Sequence, residues 1–155
     1  RLRSRDAKAI SVPMLGTLYS SEILTLSSTL KNAALDAPDG TARKVSKLCG
    51  SSVEIDVLMN GEAVKEVALR VEACALGQAS AALLQEKIIG ASLDELISAR
   101  DGLRRMLKEG AGAPVGRFAR LALLQSVRDY PARHQSTLLA FEAAVAAVEN
   151  ALSAR

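Results

Sequence analysis

Val53, Ile55, Val57 and Met59 alternate with Ser52, Glu54, Asp56 and Leu58; Asn60-Gly61 follows, and Val67, Leu69 and Val71 resume the alternation. Successive side chains of a strand point to opposite faces, so a period of two reads as strands with one face toward a core and the other mostly toward water. Asn-Gly is the dipeptide best suited to a tight hairpin, because both residues tolerate positive φ. These twenty residues therefore predict an antiparallel hairpin, and Arg43 to Leu48 supplies a third strand. A sheet of about three strands with one apolar face cannot stand alone in water and needs helices to cover it.

The rest of the chain supplies them. Tyr19 to Leu35 places Ile23, Leu26, Leu30 and Ala34 at helical spacing before Pro38-Asp39-Gly40 breaks the pattern. From Ala73 the period changes to that of a helix, with Leu76, Leu83, Leu84, Ile88 and Ile89, and Gly90 is the expected C-cap. Ser92 with Glu95 three positions on forms a capping box, and Leu96, Leu103, Met106 and Leu107 continue that helix. After the joint Gly110-Ala111-Gly112-Ala113-Pro114, Phe118 to Val127 reads as a shorter helix. Leu138, Phe141, Val145, Val148 and Leu152 make the last one amphipathic. The expected class is α+β: a small three-stranded antiparallel sheet with helices packed on one face, in one domain over residues 18–155 preceded by an N-terminal extension over residues 1–17.

Composition narrows the function. The hydrophobic fraction is 49%, much of it alanine, and no apolar run approaches the roughly 18 residues of a membrane span. A net charge of +3, with acids and bases interleaved except at Arg1, Arg3 and Arg5, does not describe a nucleic-acid surface, and two Tyr, two Phe and no Trp leave no stacking platform. The two cysteines, Cys49 and Cys74, are too far apart for a CxxC pair and too few for a secreted disulfide framework, so a reducing compartment is expected. Residues 1–20 hold no apolar core with a cleavage motif, and their Arg-rich, Ser-containing start fits the remnant of a mitochondrial presequence. No P-loop, dinucleotide fingerprint, Gly-x-Ser-x-Gly elbow or Ser/His/Asp arrangement is present, so no enzyme activity is expected.

Cys49 lies beside Gly50 at the end of one expected strand, and Cys74 opens a helix that follows another. Thiols at strand ends can converge, and the positive end of a helix dipole suits sulfur that bears charge or binds metal. The same residues also admit a plain reading, since free cysteine packs like a small apolar side chain. Lys47, near Cys49, reads as a solvated edge residue and is given no role.

The words around the cysteines carry a resemblance. Asp36-Ala37-Pro38-Asp39-Gly40-Thr41 followed by Leu48-Cys49-Gly50 resembles the first cysteine loop of the IscU/NifU iron-sulfur cluster scaffolds, and Ala73-Cys74-Ala75-Leu76-Gly77-Gln78-Ala79-Ser80-Ala81 is similar to the second. Gly90-Ala91-Ser92-Leu93-Asp94-Glu95-Leu96 resembles the family's GKSLDEA element, and Leu18-Tyr19-Ser20 with Glu22-Ile23-Leu24 its opening helix. Tyr130-Pro131-Ala132-Arg133 and Leu138-Leu139-Ala140-Phe141 resemble the flanks of its third cysteine. The likeness runs from about Leu18 to Leu152, and the length between Gly90 and Pro131 is that of the SufU-like branch.

This resemblance implies an IscU/NifU N-terminal-like fold and a scaffold on which sulfur from a cysteine desulfurase and iron combine before transfer to an acceptor. It also implies four ligand positions, two of which are changed. The family's aspartate after Cys-Gly corresponds to Ser51, its third cysteine to Ser136, and its histidine before that cysteine to Gln135. Zinc and cluster iron want thiolate, imidazole or carboxylate, and a serine hydroxyl holds its proton too tightly to substitute well. Cys49 and Cys74 remain as cofactor-binding and metal candidates, with His134 as a candidate third ligand. The Leu-Pro-Pro-Val-Lys chaperone element of the IscU branch is absent. Two readings follow: a scaffold binding iron and sulfide, or zinc, through the surviving cysteines, in the mitochondrial matrix or bacterial cytoplasm; or a degenerate scaffold fold, without metal, serving as a structural accessory subunit of a larger complex.

Overall fold

The computed structural model describes residues 18–155; the N-terminal extension over residues 1–17, with Arg1, Arg3 and Arg5, lies outside the described residues. The elements run α1 (Ser21–Thr29), β1 (Gly40–Val45), β2 (Ser52–Asn60), β3 (Ala63–Glu72), α2 (Ala75–Lys87), α3 (Leu93–Glu109), a 3-10 segment (Gly116–Asp129), a short 3-10 turn (Pro131–Arg133) and α4 (His134–Ser153). The sheet is antiparallel throughout, in the order β1-β2-β3. Its inner face carries Val53, Ile55 and Val57, all fully buried, and α4 lies across the β1 and β2 side of it. Alanines 140, 143, 144, 147 and 151 line α4, and small side chains let a helix backbone approach a sheet closely. At Gly40 the approach leaves no room at all, since a Cβ there would overlap the Ala147 carbonyl and Ala151.

The hairpin forms, but its turn sits one residue later than expected. Asn60 pairs with Ala63, so Gly61 and Glu62 make the turn, with Gly61 supplying the positive φ of 62°, and a bulge follows between Leu58 and Met59. The outer face is less wet than the alternation suggests. Asp56 is 3% exposed. One of its carboxylate oxygens accepts from Leu35 N and Arg70 Nη1 (both 3.0 Å), the other from Thr41 Oγ1 and Arg70 Nη2 (both 2.9 Å). The chain that crosses there was expected to be helical. Instead α1 stops at Thr29, where Ser27, Ser28 and Thr29 each turn a hydroxyl onto the carbonyl three residues back, a local bond that competes with the helix ladder. Beyond it the chain is extended: Ala33 N bonds Leu69 O at 2.9 Å and Asn32 Oδ1 accepts from Val71 N at 2.7 Å, leaving Ala34 exposed.

The third strand starts earlier than expected, at Gly40, and ends at Val45. Helix α2 ends at Lys87 with Ile88 as its cap, and Gly90, at φ 89°, turns the chain beyond it. The capping box of Ser92 and Glu95 forms as expected, and Gly110 closes α3 in the left-handed region. The expected helix from Phe118 to Val127 is a 3-10 segment, kinked at Phe118. Its buried residues Phe118, Leu121, Leu124 and Val127 recur every third position, and three residues per turn puts such a series on one face. Phe118 packs edge-on against Phe141 of α4, with ring centroids 5.4 Å apart.

Candidate functional site

Three chain segments meet at one end of the sheet: the loop from β1 to β2, the start of α2 and the start of α4. The loop is closed on itself by Ser46 N to Ser51 O and Gly50 N to Ser46 O, both 2.8 Å. Gly50 adopts φ 71° with open space around it, so the backbone conformation and not a close neighbour selects glycine there. This closure turns Cys49 outward while holding Ser46 and Ser51 inward and buried.

Cys49 Sγ lies 3.2 Å from both Ser46 Oγ and Ser51 Oγ. Ser46 in turn donates to Gln135 Oε1 at 2.7 Å, tying the loop to α4. These hydroxyls lower the Cys49 thiol from 9.0 to about 7, Ser46 first, then Ser51, with a smaller contribution from Ser136 and with burial acting in the opposite direction. Near neutral pH a large share of Cys49 is therefore thiolate, the form that attacks sulfur and binds metal. Lys47 plays no part in this shift.

Cys74 is the N-cap of α2, half-buried, and its side chain makes no capping bond. Its Sγ lies 3.8 Å from Ser136 Oγ, and Gln135, the residue before Ser136, bonds the Ser46 hydroxyl that lies beside Cys49. Ser136 thus sits where the Cys74 helix start and the Cys49 loop both meet α4. Its place depends on Gly77: a Cβ there would meet Ala73 Cβ at 2.7 Å and Ser136 O at 3.3 Å, so α2 and α4 touch through backbone. One turn on, buried Ser80 donates to Thr137 O at 2.7 Å and locks the same contact.

The structure brings Cys49, Ser51, Cys74 and Ser136 together but turns His134 away from them. His134 is buried, and its Nε2 faces the carbonyls of Val127 (3.1 Å) and Arg128 (3.2 Å). Both partners only accept, so Nε2 carries the proton and offers no lone pair to a metal. Through Nε2 His134 fastens the 3-10 segment to α4, so that nitrogen is not the third ligand expected of it. Among the described residues no group of three or more His, Cys, Asp or Glu side chains is placed to hold a metal. Two thiols and the hydroxyls of Ser46, Ser51 and Ser136 do not fit a complete four-ligand iron or zinc centre on one chain. Ser46 escaped the sequence reading as a member of the site, and Gln135 entered it only as the counterpart of the family's histidine; a serine carries no metal signature, and only the burial of Ser46 and its bond to Gln135 expose it.

Two grooves of about 480 Å³ lie elsewhere, one between α3 and the loop 112–118, the other among α1, α2 and Arg120, and neither is lined by a thiol. No helix among the described residues is long and apolar enough to cross a membrane.

The chain is 28% identical over 128 residues to the iron-sulfur cluster assembly scaffold protein IscU of Thermotoga maritima, a match covering 81% of this chain and 88% of that one. Its structure resembles the crystal structure of a nitrogen-fixing NifU-like protein (N-terminal) from Brucella abortus, with a TM-score of 0.88, 42% identity, and coverage of 92% of this chain and 99% of that one. It shares the fold of a putative iron-sulfur cluster assembly scaffold protein for the SUF system from Fervidobacterium islandicum AW-1, with a TM-score of 0.78, 23% identity, and coverage of 86% and 98%. Residues 18–137 match the family described as the NifU-like N terminal domain, and the chain belongs to that family.

Proposed function

We propose that this protein is an iron-sulfur cluster assembly scaffold whose Cys49 and Cys74 receive iron and sulfide. The observation that carries the reading is that both thiols are tied to the start of α4, Cys49 through Ser46 and Gln135 and Cys74 through Ser136, at the meeting point of a loop and two helix starts. Zinc, which shares the preference for thiolate, is the competing metal at the same sulfurs. An exposed thiol that is substantially ionised near neutral pH suits the acceptance of sulfur from a cysteine desulfurase, since the thiolate is the attacking form. In that transfer the Cys49 thiolate would attack the outer sulfur of the desulfurase persulfide, forming an S–S bond on Cys49 as the donor S–S bond breaks and the desulfurase thiolate leaves. A two-electron reductant would then free the sulfur as sulfide; the chain serves as the platform for these steps. The named relatives are bacterial, which favours the bacterial cytoplasm over the mitochondrial matrix as its compartment.

The test is anaerobic incubation with ferrous iron and sulfide, followed by assay of iron and acid-labile sulfide in the wild type and in Cys49→Ala and Cys74→Ala. The wild type is expected to retain both and each variant to lose them. Ser51 and Ser136, standing at implied ligand positions, favour a second reading in which the fold is a metal-free accessory subunit of a larger assembly. Absence of iron and sulfide from the wild type, with unchanged stability in both variants, would replace the first reading by the second.

A further inference from the structure

We infer that the groove between α3 and the loop 112–118 is a surface on which two copies of this chain pair about a two-fold axis. Its lining follows one face of α3, from Asp94 through Ser98 and Gly102 to Arg105, residues that recur at helical spacing. A rise of 1.5 Å per residue sets the two charges about 16 Å apart along the helix. A carboxylate thus stands at one end and a guanidinium at the other, and among the described residues neither side chain has a hydrogen-bond or ion-pair partner. Charges so placed also complement the dipole of α3, but that does not account for the open space of about 480 Å³ beside them. The walls of this space are fixed without an occupant. Arg117 pairs with Glu95 at 3.0 Å and donates to the carbonyls of Lys87 (3.2 Å) and Ile89 (3.0 Å). Pro114 lies over Gly102, where a Cβ would meet its ring at 3.1 Å, and buried Phe118 lines the groove beneath the loop.

The order of the charges selects the occupant. A two-fold rotation sets the same surface of both copies against itself, end for end, so Asp94 of each copy meets Arg105 of the other and both ion pairs form at once. The groove carries two acids, Asp94 and Glu95, and two cations, Arg105 and Arg117, so the facing surfaces do not repel through a net charge. On the rim Val115 is 91% exposed, the most exposed of the large apolar side chains among the described residues, and it is the apolar group that each copy offers to the groove of the other. An unrelated partner would have to carry the same charges in the reverse order; a second copy already does. Neither cysteine lines the groove, so this pairing requires no thiol and no metal.

Analytical ultracentrifugation of the full chain, kept reduced and free of added iron, over a concentration series tests this. The wild type is expected to pass from the mass of one chain to that of two as its concentration rises. Asp94→Arg and Arg105→Asp each set like charges against one another at both ends of the contact, and each should weaken self-pairing by ~10-fold or more. Mixed in equal amounts, the two variants complement one another at both ends and should pair, an outcome that misfolding of either could not produce. Val115→Ser, which removes the apolar group from the rim, should weaken pairing by about tenfold. A wild type that stays at single-chain mass throughout overturns the inference. So does pairing that Arg105→Asp leaves intact, and so does a mixture of the two charge variants that stays at single-chain mass. The scaffold reading, which rests on the cysteines, is untouched by any of these results.

Discussion

Replacing Asp56 by Asn keeps the shape of the most buried acid on the outer sheet face and removes its charge. In the wild type the Arg70 guanidinium, followed by the Leu35 amide and the Thr41 hydroxyl, holds the Asp56 carboxyl at about 2 instead of 3.8. A depression of that size stabilises the folded chain by about 2 kcal/mol once the carboxyl is ionised. The pair is buried on the Asp56 side (5% exposed) and half-exposed at Arg70 (34%), so solvent screening trims the Coulombic share. The Asn side chain adds an opposing cost, because its amide group sets a donor against donors from Arg70, Thr41 or Leu35. The net expectation is a loss of ~2–3 kcal/mol at pH 7, seen as a lower urea midpoint and a melting temperature reduced by ~5–10 °C. The depressed carboxyl fixes the sign of the pH effect. Its contribution is complete above the ordinary value of 3.8 and disappears as pH falls through about 2, so wild type and variant should converge between pH 4 and pH 2. A difference under ~0.5 kcal/mol at pH 7, or one of equal size at pH 7 and pH 2.5, would refute this account of the strap that runs from Leu30 to Asp39.

Other consequences are as specific. In metal-free protein, the rate of Cys49 alkylation by iodoacetamide should rise with pH through a midpoint near the thiol's value of about 7 and then level off; Ser46→Ala should move that midpoint up toward 9.0. His134→Ala should cost ~2 kcal/mol in urea unfolding by stranding buried carbonyls, yet leave the iron and sulfide content of reconstituted protein unchanged. Gly77→Val should force α2 away from Ser136, destabilising the fold by ~1–3 kcal/mol and lowering the amount of iron retained. Gly40→Val should leave little folded protein, as judged by circular dichroism, because its side chain overlaps the backbone of α4.

Much of the architecture was legible because period and turn chemistry are local properties. The alternation from Val53 to Met59 and the capping box at Ser92 and Glu95 follow from neighbours within a few residues. Three features were not legible, each for a tertiary reason. A turn centred on Asn60-Gly61 would set Asp56 opposite Lys65, whereas the shifted turn and the bulge set it opposite Ala68 with Arg70 on the diagonal, so its partner was hidden. The segment after Thr29 keeps helical spacing but gains more from Leu69, Val71 and Asp56 than from its own ladder. Phe118, Leu121, Leu124 and Val127 fit either a loose α-helix stripe or a period of three, and packing against α4 selects the latter. At the site, Cys49, Cys74, Ser51 and Ser136 were named through the resemblance, and the structure sets Ser51 against Cys49 and Ser136 against Cys74. The true neighbours of His134 were not legible, since two residues of sequence separation from Ser136 say nothing of which way a ring faces at a helix start.

Iron K-edge X-ray absorption of the reconstituted protein tests most directly whether Cys49 and Cys74 hold the iron. The account predicts sulfur as the main nearest neighbour of iron, and loss of that sulfur signal and of the bound iron in Cys49→Ala and in Cys74→Ala. Iron ringed by oxygen or nitrogen without sulfur, or iron retained when either cysteine is gone, would contradict it.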